Sequence, residues 1–503
     1  MIELRKQKSK QRKVLFMNKS IQHFLEVGVK KLNEISIRYA EDPSKIAEMV
    51  CDIHEEMNRF GCDIVAEIWE NYDDCLHFRP ELREGWVVER TNDKRSILTS
   101  MGEVTFKRTY FRNKETGKYA YLTDKLIGME SHDRLTEDAK AKVLEEAVCT
   151  SYRKAGDSAS VSKSGISKEA VKELLHPLKF PVSKANETKR KAKVVYIDAD
   201  EEHVSLQFIE KKGDVPSSRH NTYMPKMVYV YDGVEAEGDR HILQNVKYFG
   251  GGYDGTDGTA MLWKEVYDYI DAQYDPDELQ KIYVNGDGAL WIRSGAERHA
   301  KAQFVLDKFH MCEYILSATS HLLDSKDDVR SDIYRCIYGK HRKELNNIFE
   351  MILNVTDSVS KAKTVERARD FILGNWKGIT AMVNGRKNDK KLGCRAEGHI
   401  SHIYADRMSS RPLGWCRTGA DKMARLRIYK WNHGDMLELV RYQKKHHPAT
   451  VETEKLCMSF KQVLTSEHQS FCNPKHVYDT KIYTIPYENV KKIAAIRHRI
   501  YDL

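Results

Sequence analysis

From about Ile21 to Cys75 apolar residues recur at helical spacing, as in IQHFLEVGVKKLNEI and IAEMVCDIHEEMNRFGCDIVAEIWENY, which predicts two or three amphipathic helices. Between Trp86 and Leu126 the period shortens to two. Branched, aromatic and basic residues alternate there around turn signals at Met101-Gly102 and Glu115-Thr116-Gly117, the pattern of a small antiparallel sheet. Helical spacing returns in TEDAKAKVLEEAVCTSYRKAGDSA and in SGISKEAVKELLHPL, where Ser167 is placed to cap the second helix. The pair reads equally as a helix-turn-helix and as an αα-hairpin buried in a helical domain. FPVSKANETKRKAKV has no period and marks a linker at residues 181–192.

Beyond the linker the pattern alternates between strand and helix. VVYIDAD, HVSLQFIEKK and KMVYVYDGV read as strands, GTAMLWKEVYDYIDAQY as a helix, KIYVNGD as a strand, and AQFVLD as a strand feeding the helix KFHMCEYILSATSHLL. This order predicts a mixed α/β sheet with an antiparallel start. Residues 325–390 are helical throughout, an insertion after the last strand, and a basic, mostly helical region follows Arg417. The expected segments are an N-terminal basic arm with helices (1–80), a small β region (81–130), a helical DNA-binding region (131–180) and the linker. After it come the first part of a mixed α/β core (193–324), the helical insertion (325–390), a segment dense in Gly, His, Ser and Arg (391–430) and a basic C-terminal region (431–503).

Composition narrows the class of function. At 503 residues, with 41% hydrophobic and 31% charged residues, the chain is long enough for several domains with their own cores, and it holds no apolar run that would span a bilayer. The basic N-terminus lacks the apolar centre of a secretory signal, so a cytoplasmic protein is expected. Ten cysteines without a Cys-x-x-Cys pair speak against a zinc ribbon or a disulfide framework. A formal charge of +9 suggests a polyanionic partner.

The acids in this basic chain carry the chemistry. Period two places Asp198 and Asp200, with Tyr196, on one face of the strand VVYIDAD. Two such carboxylates repel, and either a cation or a solvated strand end would relieve them. Asp287 ends another strand between Gly286 and Gly288, which would leave room for metal and phosphate beside it. A third acid, Glu397, opens EGHISHIYADRMSSRPLGW, a stretch rich in Gly, His, Ser and Arg that is poor core material and good phosphate-contact material. Turn-proximal Lys107 and Arg108, helix-start Lys168, and Arg411 with Trp415 are the expected DNA contacts; Trp291 is a further candidate for stacking on a base.

The order strand-Asp, strand-Asp, helical insertion, helix-Glu resembles DDE transposases. More narrowly, IDADEEHVSLQ, KYFGG, IYVNGDGALWIRSG, FVLDKFHMCEYI and EGHISHIYADRMSSRPLGW resemble bacterial insertion-sequence transposases of the ISLre group, relatives of the Mutator-like elements. The resemblance runs over nearly the whole chain. It implies an α+β multidomain fold with a ribonuclease-H-like mixed α/β catalytic domain, an all-helical insertion, and helical and small β DNA-binding regions in front. It implies a catalytic and metal-binding set of Asp200, Asp287 and Glu397, with Asp198 a rival for the first position, supported by Asp307, His310 and Arg407. It further implies two Mg²⁺ ions, or Mn²⁺, and double-stranded DNA as partner, both the element's terminal repeats and the target. A homodimer or larger complex on that DNA, at the bacterial nucleoid and away from any membrane, completes the expectation. A nuclease that cuts without joining, or a decayed transposase that only binds DNA, stays open.

Overall fold

The computed structural model describes residues 19–159, 165–182, 188–208, 213–214, 221–237, 240–389, 392–410 and 414–445. They form two compact units, the first reaching to Thr136 and the second beginning at Glu137. In the first unit, helices α1 (Lys19–His23), α2 (Val29–Glu41) and the long α3 (Ile46–Phe78) precede strands β1 (Trp86–Leu98), β2 (Glu103–Asn113) and β3 (Tyr119–Ala120), then helix α4 (Leu122–Leu126). The strands form one antiparallel sheet with its turns where the sequence places them. Cys75 and Leu76 of α3 pack with Trp86, Phe111 and Leu122 in its core. Asp73 fixes α3 to the sheet, accepting hydrogen bonds from the Thr109 N–H at 2.8 Å and hydroxyl at 2.5 Å.

The second unit opens with helices α5 (Glu137–Ala147), α6 (Tyr152–Asp157) and α7 (Lys168–Leu175), and the Ser167 hydroxyl caps α7 by accepting from the Ala170 N–H at 3.2 Å. Strand β4 (Val194–Glu201) begins the main sheet. A ribbon of β5 (Val204–Ser205) with β6 (Thr222–Tyr223) follows, then β7 (Lys226–Tyr231), a hairpin of β8 (Gly233–Glu237) with β9 (Arg240–Gln244), and β10 (Lys247–Gly251). Helix α8 (Gly255–Gln273), strand β11 (Lys281–Gly286), helix α9 (Leu290–Ala296), strand β12 (Ala302–Leu306) and helix α10 (Lys308–Thr319) complete this half. Helices α11 (Lys326–Gly339), α12 (Arg342–Asn354), α13 (Val359–Gly374) and α14 (Trp376–Asn388) form a helical run over the stretch where an insertion is expected. Helices α15 (Ala396–Ile400), α16 (Asp406–Met408), α17 (Arg417–Trp431) and α18 (Met436–Lys445) end the described chain.

The main sheet has five strands in the order β10-β7-β4-β11-β12. β7 runs antiparallel to β4 and β10, whereas β11 runs parallel to β4 and β12, so the sheet is mixed with an antiparallel start. The expected second strand is corrected, and KMVYVY, expected as the third, is a strand of the main sheet. Within HVSLQFIEKK only Val204–Ser205 is a described strand, and it pairs outside the main sheet. The second strand is Lys226–Tyr231, buried along its whole length between β4 and β10, and the third is Lys247–Gly251. A strand paired on both edges reads as a continuous apolar run, which is what MVYVY is.

Alternation along β4 divides the sheet's faces. Val195, Ile197 and Ala199 pack with Leu262, Trp263 and Val266 of α8 in the largest core. Tyr196, Asp198 and Asp200 face the other side, where the Tyr196 hydroxyl meets Asp389 and the Tyr196 ring stacks between those of Tyr231 and Tyr283.

Candidate active site

The parallel register of β4 and β11 is constant from Lys281↔Val194 to Asn285↔Asp198. Asp287 follows β11 directly and Asp200 stands near the end of β4, so the two acids come from the same end of adjacent parallel strands. The electrostatics agree. Burial pushes the Asp200 carboxyl up to about 7, the charges of Asp287 and Glu397 push it the same way, and the Glu201 N–H and His310 oppose them. The Glu201 N–H bond is 2.8 Å long. Asp287 accepts the Ala289 N–H at 2.9 Å, which turns the chain out of β11. Glu397 is exposed in the first turn of α15. Thus the charges of a carboxylate just past one strand end and of another at a helix start both reach Asp200.

Asp198 is a different kind of group. It is 0% exposed, and its carboxylate accepts from the Tyr229 hydroxyl at 2.8 Å, the Tyr231 hydroxyl at 3.3 Å, the Asn285 side-chain amide at 2.7 Å and the Arg395 backbone N–H at 2.9 Å. Burial raises it to about 6 against the pull of these hydrogen bonds. Sequence reasoning missed these partners, although Asn285 and the two tyrosines stand at period two in their strands, the signal that would have put them on the face of Asp198.

Asp307 caps α10, accepting the Phe309 N–H at 3.1 Å, while its own N–H donates to the Gly286 carbonyl at 2.8 Å. Burial raises its carboxyl, with His310 and Arg386 opposing and Asp287 adding. His310 is therefore close enough to act on both Asp307 and Asp200. Lys226, 9% exposed, donates to the Tyr253 carbonyl at 3.1 Å and lies over the half-buried Trp291 ring at 5.6 Å.

Other expected site residues are spent elsewhere. Arg407 is buried, its Nε donating to the Ala147 carbonyl at 3.1 Å and its guanidinium lying over Trp415. Trp415 is only 7% exposed and donates its indole N–H to the Met408 carbonyl at 3.0 Å, so the expected base-stacking surface is core. In the first unit Arg108 is likewise not a free cation: it pairs with buried Asp124, which Arg95 also contacts at 2.5 Å, and its guanidinium covers Tyr121. Lys107 and Lys168 are exposed, as DNA contacts require. Arg411 lies outside the described residues.

The glycines beside Asp287 serve packing rather than open space. A Cβ on Gly286 would meet Ile292 at 2.7 Å and the Ala199 carbonyl at 3.0 Å; one on Gly288, whose φ is +95°, would meet the Asn375 side chain at 2.8 Å. Asn375, at the start of α14, thus brings the helical insertion to the turn that presents Asp287.

The donor set matches a hard divalent cation in chemistry, because all three acids offer oxygen and their repulsion is what a cation relieves. Among the described residues, no three His, Cys, Asp or Glu side chains already converge closely enough to hold an ion, so an ion would have to draw them together. Among the described residues, no helix is long and apolar enough to cross a membrane.

The model of the uncharacterised protein family UPF0236 matches residues 39–446. A UPF0236 protein of Caldanaerobacter subterraneus subsp. tengcongensis, named for eleven genes, is 33% identical over 402 residues, covering 80% of this chain and 81% of the relative. A second from that organism, named for four genes, matches with the same identity and coverage. The Drosophila P element transposase strand transfer complex aligns with 64% of this chain and 91% of its own at 10% identity. Its TM-score of 0.21 carries no argument about fold or function.

Proposed function

The chain belongs to the uncharacterised protein family UPF0236, and we propose that it is a DNA transposase of the DDE type, cutting at the ends of an insertion sequence and joining them to target DNA. The observation that carries this reading is the placement of Asp200 near the end of β4 and of Asp287 directly after adjacent, parallel β11, with the charges of Asp287 and Glu397 both reaching Asp200. The five-strand sheet with its antiparallel start, and the four-helix insertion between the second and third acids, support a ribonuclease-H-like catalytic domain. A relative named for eleven genes is what a sequence that copies itself around a genome would leave.

In this reading Asp200, Asp287 and Glu397 hold Mg²⁺ or Mn²⁺, two ions in all, which when bound would activate the attacking oxygen and stabilise the leaving one. Asp200 serves as the first ligand because its carboxylate is part-exposed and short of partners, whereas Asp198 is saturated. Asp200, whose carboxyl burial raises, would hold the ions in its deprotonated form, its proton passing to solvent, while Lys107 and Lys168 contact the backbone of terminal-repeat or target DNA. Joining two ends requires two active sites, hence a homodimer or larger complex at the nucleoid.

The test incubates purified protein with DNA carrying the gene's own flanks and Mg²⁺ or Mn²⁺, alongside Asp287→Ala and Glu397→Ala. Cleavage and joining at the flanks, lost in both variants, is the expected result. Cleavage without joining would favour a nuclease, and binding without either would favour a DNA-binding protein.

A further inference from the structure

The buried Asp198 has a pattern of partners that the assignment of the three acids leaves unused. It stands two residues before Asp200 on β4. Its Oδ1 accepts from Asn285, two residues before Asp287, at 2.7 Å, and its Oδ2 accepts from the N–H of Arg395, two residues before Glu397, at 2.9 Å. One carboxylate therefore ties together all three segments that carry the acids, each at the same remove. The Tyr229 and Tyr231 hydroxyls, donating from β7, hold it from the other side. The Arg395 guanidinium doubles the link, donating to the Tyr231 hydroxyl at 3.3 Å and to the Gly393 carbonyl at 2.9 Å.

We propose that Asp198 is a positioning residue: it sets the mutual placement of Asp200, Asp287 and Glu397 and never touches metal or DNA. This role rests on the catalytic reading of those three acids. The two strands need no such tie, since their ladder already fixes them. The segment of Glu397 does need it. Residues 392–395 belong to no strand, and the Arg395 N–H, with the Gly393 carbonyl that accepts from the Tyr231 hydroxyl at 3.5 Å, attaches the start of α15 to the sheet's polar face around Asp198. Loosening it lets Glu397 move relative to two fixed aspartates, and a misplacement of about 1 Å in a catalytic group costs on the order of 100-fold in rate. A carboxylate suits the place because it accepts on both oxygens, whereas an asparagine would turn one of them into a donor facing another donor.

The experiment uses the full chain with its flanking DNA and compares wild type, Asp198→Asn, Asn285→Ala and the double variant Asp198→Asn/Asn285→Asp. It is run at a temperature where circular dichroism shows each to be folded. Four readouts are taken: cleavage rate, flanking-DNA affinity, Mn²⁺ affinity, and hydrogen exchange at the Arg395 amide and through α15. The expected result for Asp198→Asn is about 100-fold slower cleavage and about tenfold weaker Mn²⁺ binding. DNA affinity should stay within about twofold, and exchange should quicken at Arg395. The double variant restores a matched donor and acceptor between residues 198 and 285 and should recover at least about tenfold in rate, which a merely structural lesion would not. Should Asp198→Asn fail to fold, Asn285→Ala, which cuts one arm only, is expected to slow cleavage by about tenfold. Wild-type-like cleavage and exchange in folded Asp198→Asn would overturn this role alone. Wild type that neither cuts nor binds Mn²⁺ would overturn the catalytic reading and this role with it.

Discussion

Replacing Asp200 with asparagine should make the metal-free protein more stable at neutral pH, although the residue is placed at the centre of the chemistry. The carboxyl is pushed from an ordinary 3.8 up to about 7, by burial first and by the charges of Asp287 and Glu397 next. A carboxyl raised in the folded state keeps a proton that the unfolded chain has already released between pH 3.8 and about 7. Fewer protons on the unfolded side mean that stability falls as pH rises through that window. The full difference corresponds to about 4 kcal/mol at neutral pH. Asp200 is part-exposed, so water screens it and the expected gain for Asp200→Asn is about 1–2 kcal/mol. The assay is urea denaturation at pH 4.5 and pH 7.5, comparing variant with wild type at each. The comparison matters, because Asp198, raised to about 6, lowers stability in the same direction, while half-buried His399, held down at about 4, contributes stability that grows from pH 4 to 6.5. Subtracting the variant cancels both. A variant only slightly more stable at pH 4.5 and clearly more stable at pH 7.5, with stabilisation by Mg²⁺ in wild type only, is the expected result. A variant less stable than wild type at both pH values would mean that Asp200 is structural, and the argument from repulsion among the three acids would fail.

Three further substitutions test placements described above. Gly288→Ala forces a side chain into the left-handed region and onto Asn375, so thermal denaturation should show a loss of about 2 kcal/mol, of which adding Asn375→Gly recovers only the steric part. Trp415→Ala should cost about 3–5 kcal/mol by chemical denaturation yet leave DNA affinity within about twofold below its melting temperature; a large loss of affinity with little loss of stability would restore it as a base-stacking residue. Asp124→Ala strands Arg95 and Arg108 and should cost about 3–5 kcal/mol, whereas an exposed DNA-contacting pair would show almost none.

What the sequence made legible follows from how local each signal is. Period two on VVYIDAD put Asp198 and Asp200 on one face, and the end of KIYVNGD put Asp287 at a strand terminus; both depend only on neighbours in the chain, and both are observed. Whether an acid on that face is free or saturated depends on residues far along the chain. Asp198 and Asp200 look alike in sequence. They differ because Tyr229, Tyr231, Asn285 and Arg395 come from three other segments and converge on Asp198, two residues before Asp200. Arg108 and Trp415 misled for the same reason: a cation near a turn and an aromatic among glycines and arginines look like nucleic-acid contacts until Asp124 and the Met408 carbonyl are found beside them. The division is itself informative about function. Of the acids on the sheet's polar face, one is surrounded by donors and the others are left facing like charge, an arrangement that costs stability and that packing alone would not retain. The part of the site that local pattern cannot read, the saturation of Asp198, is the part that turns a row of strand-end carboxylates into a fixed geometry. A chain that kept Asp200, Asp287 and Glu397 but lost that tie would still match every motif while losing the alignment that the proposed chemistry needs.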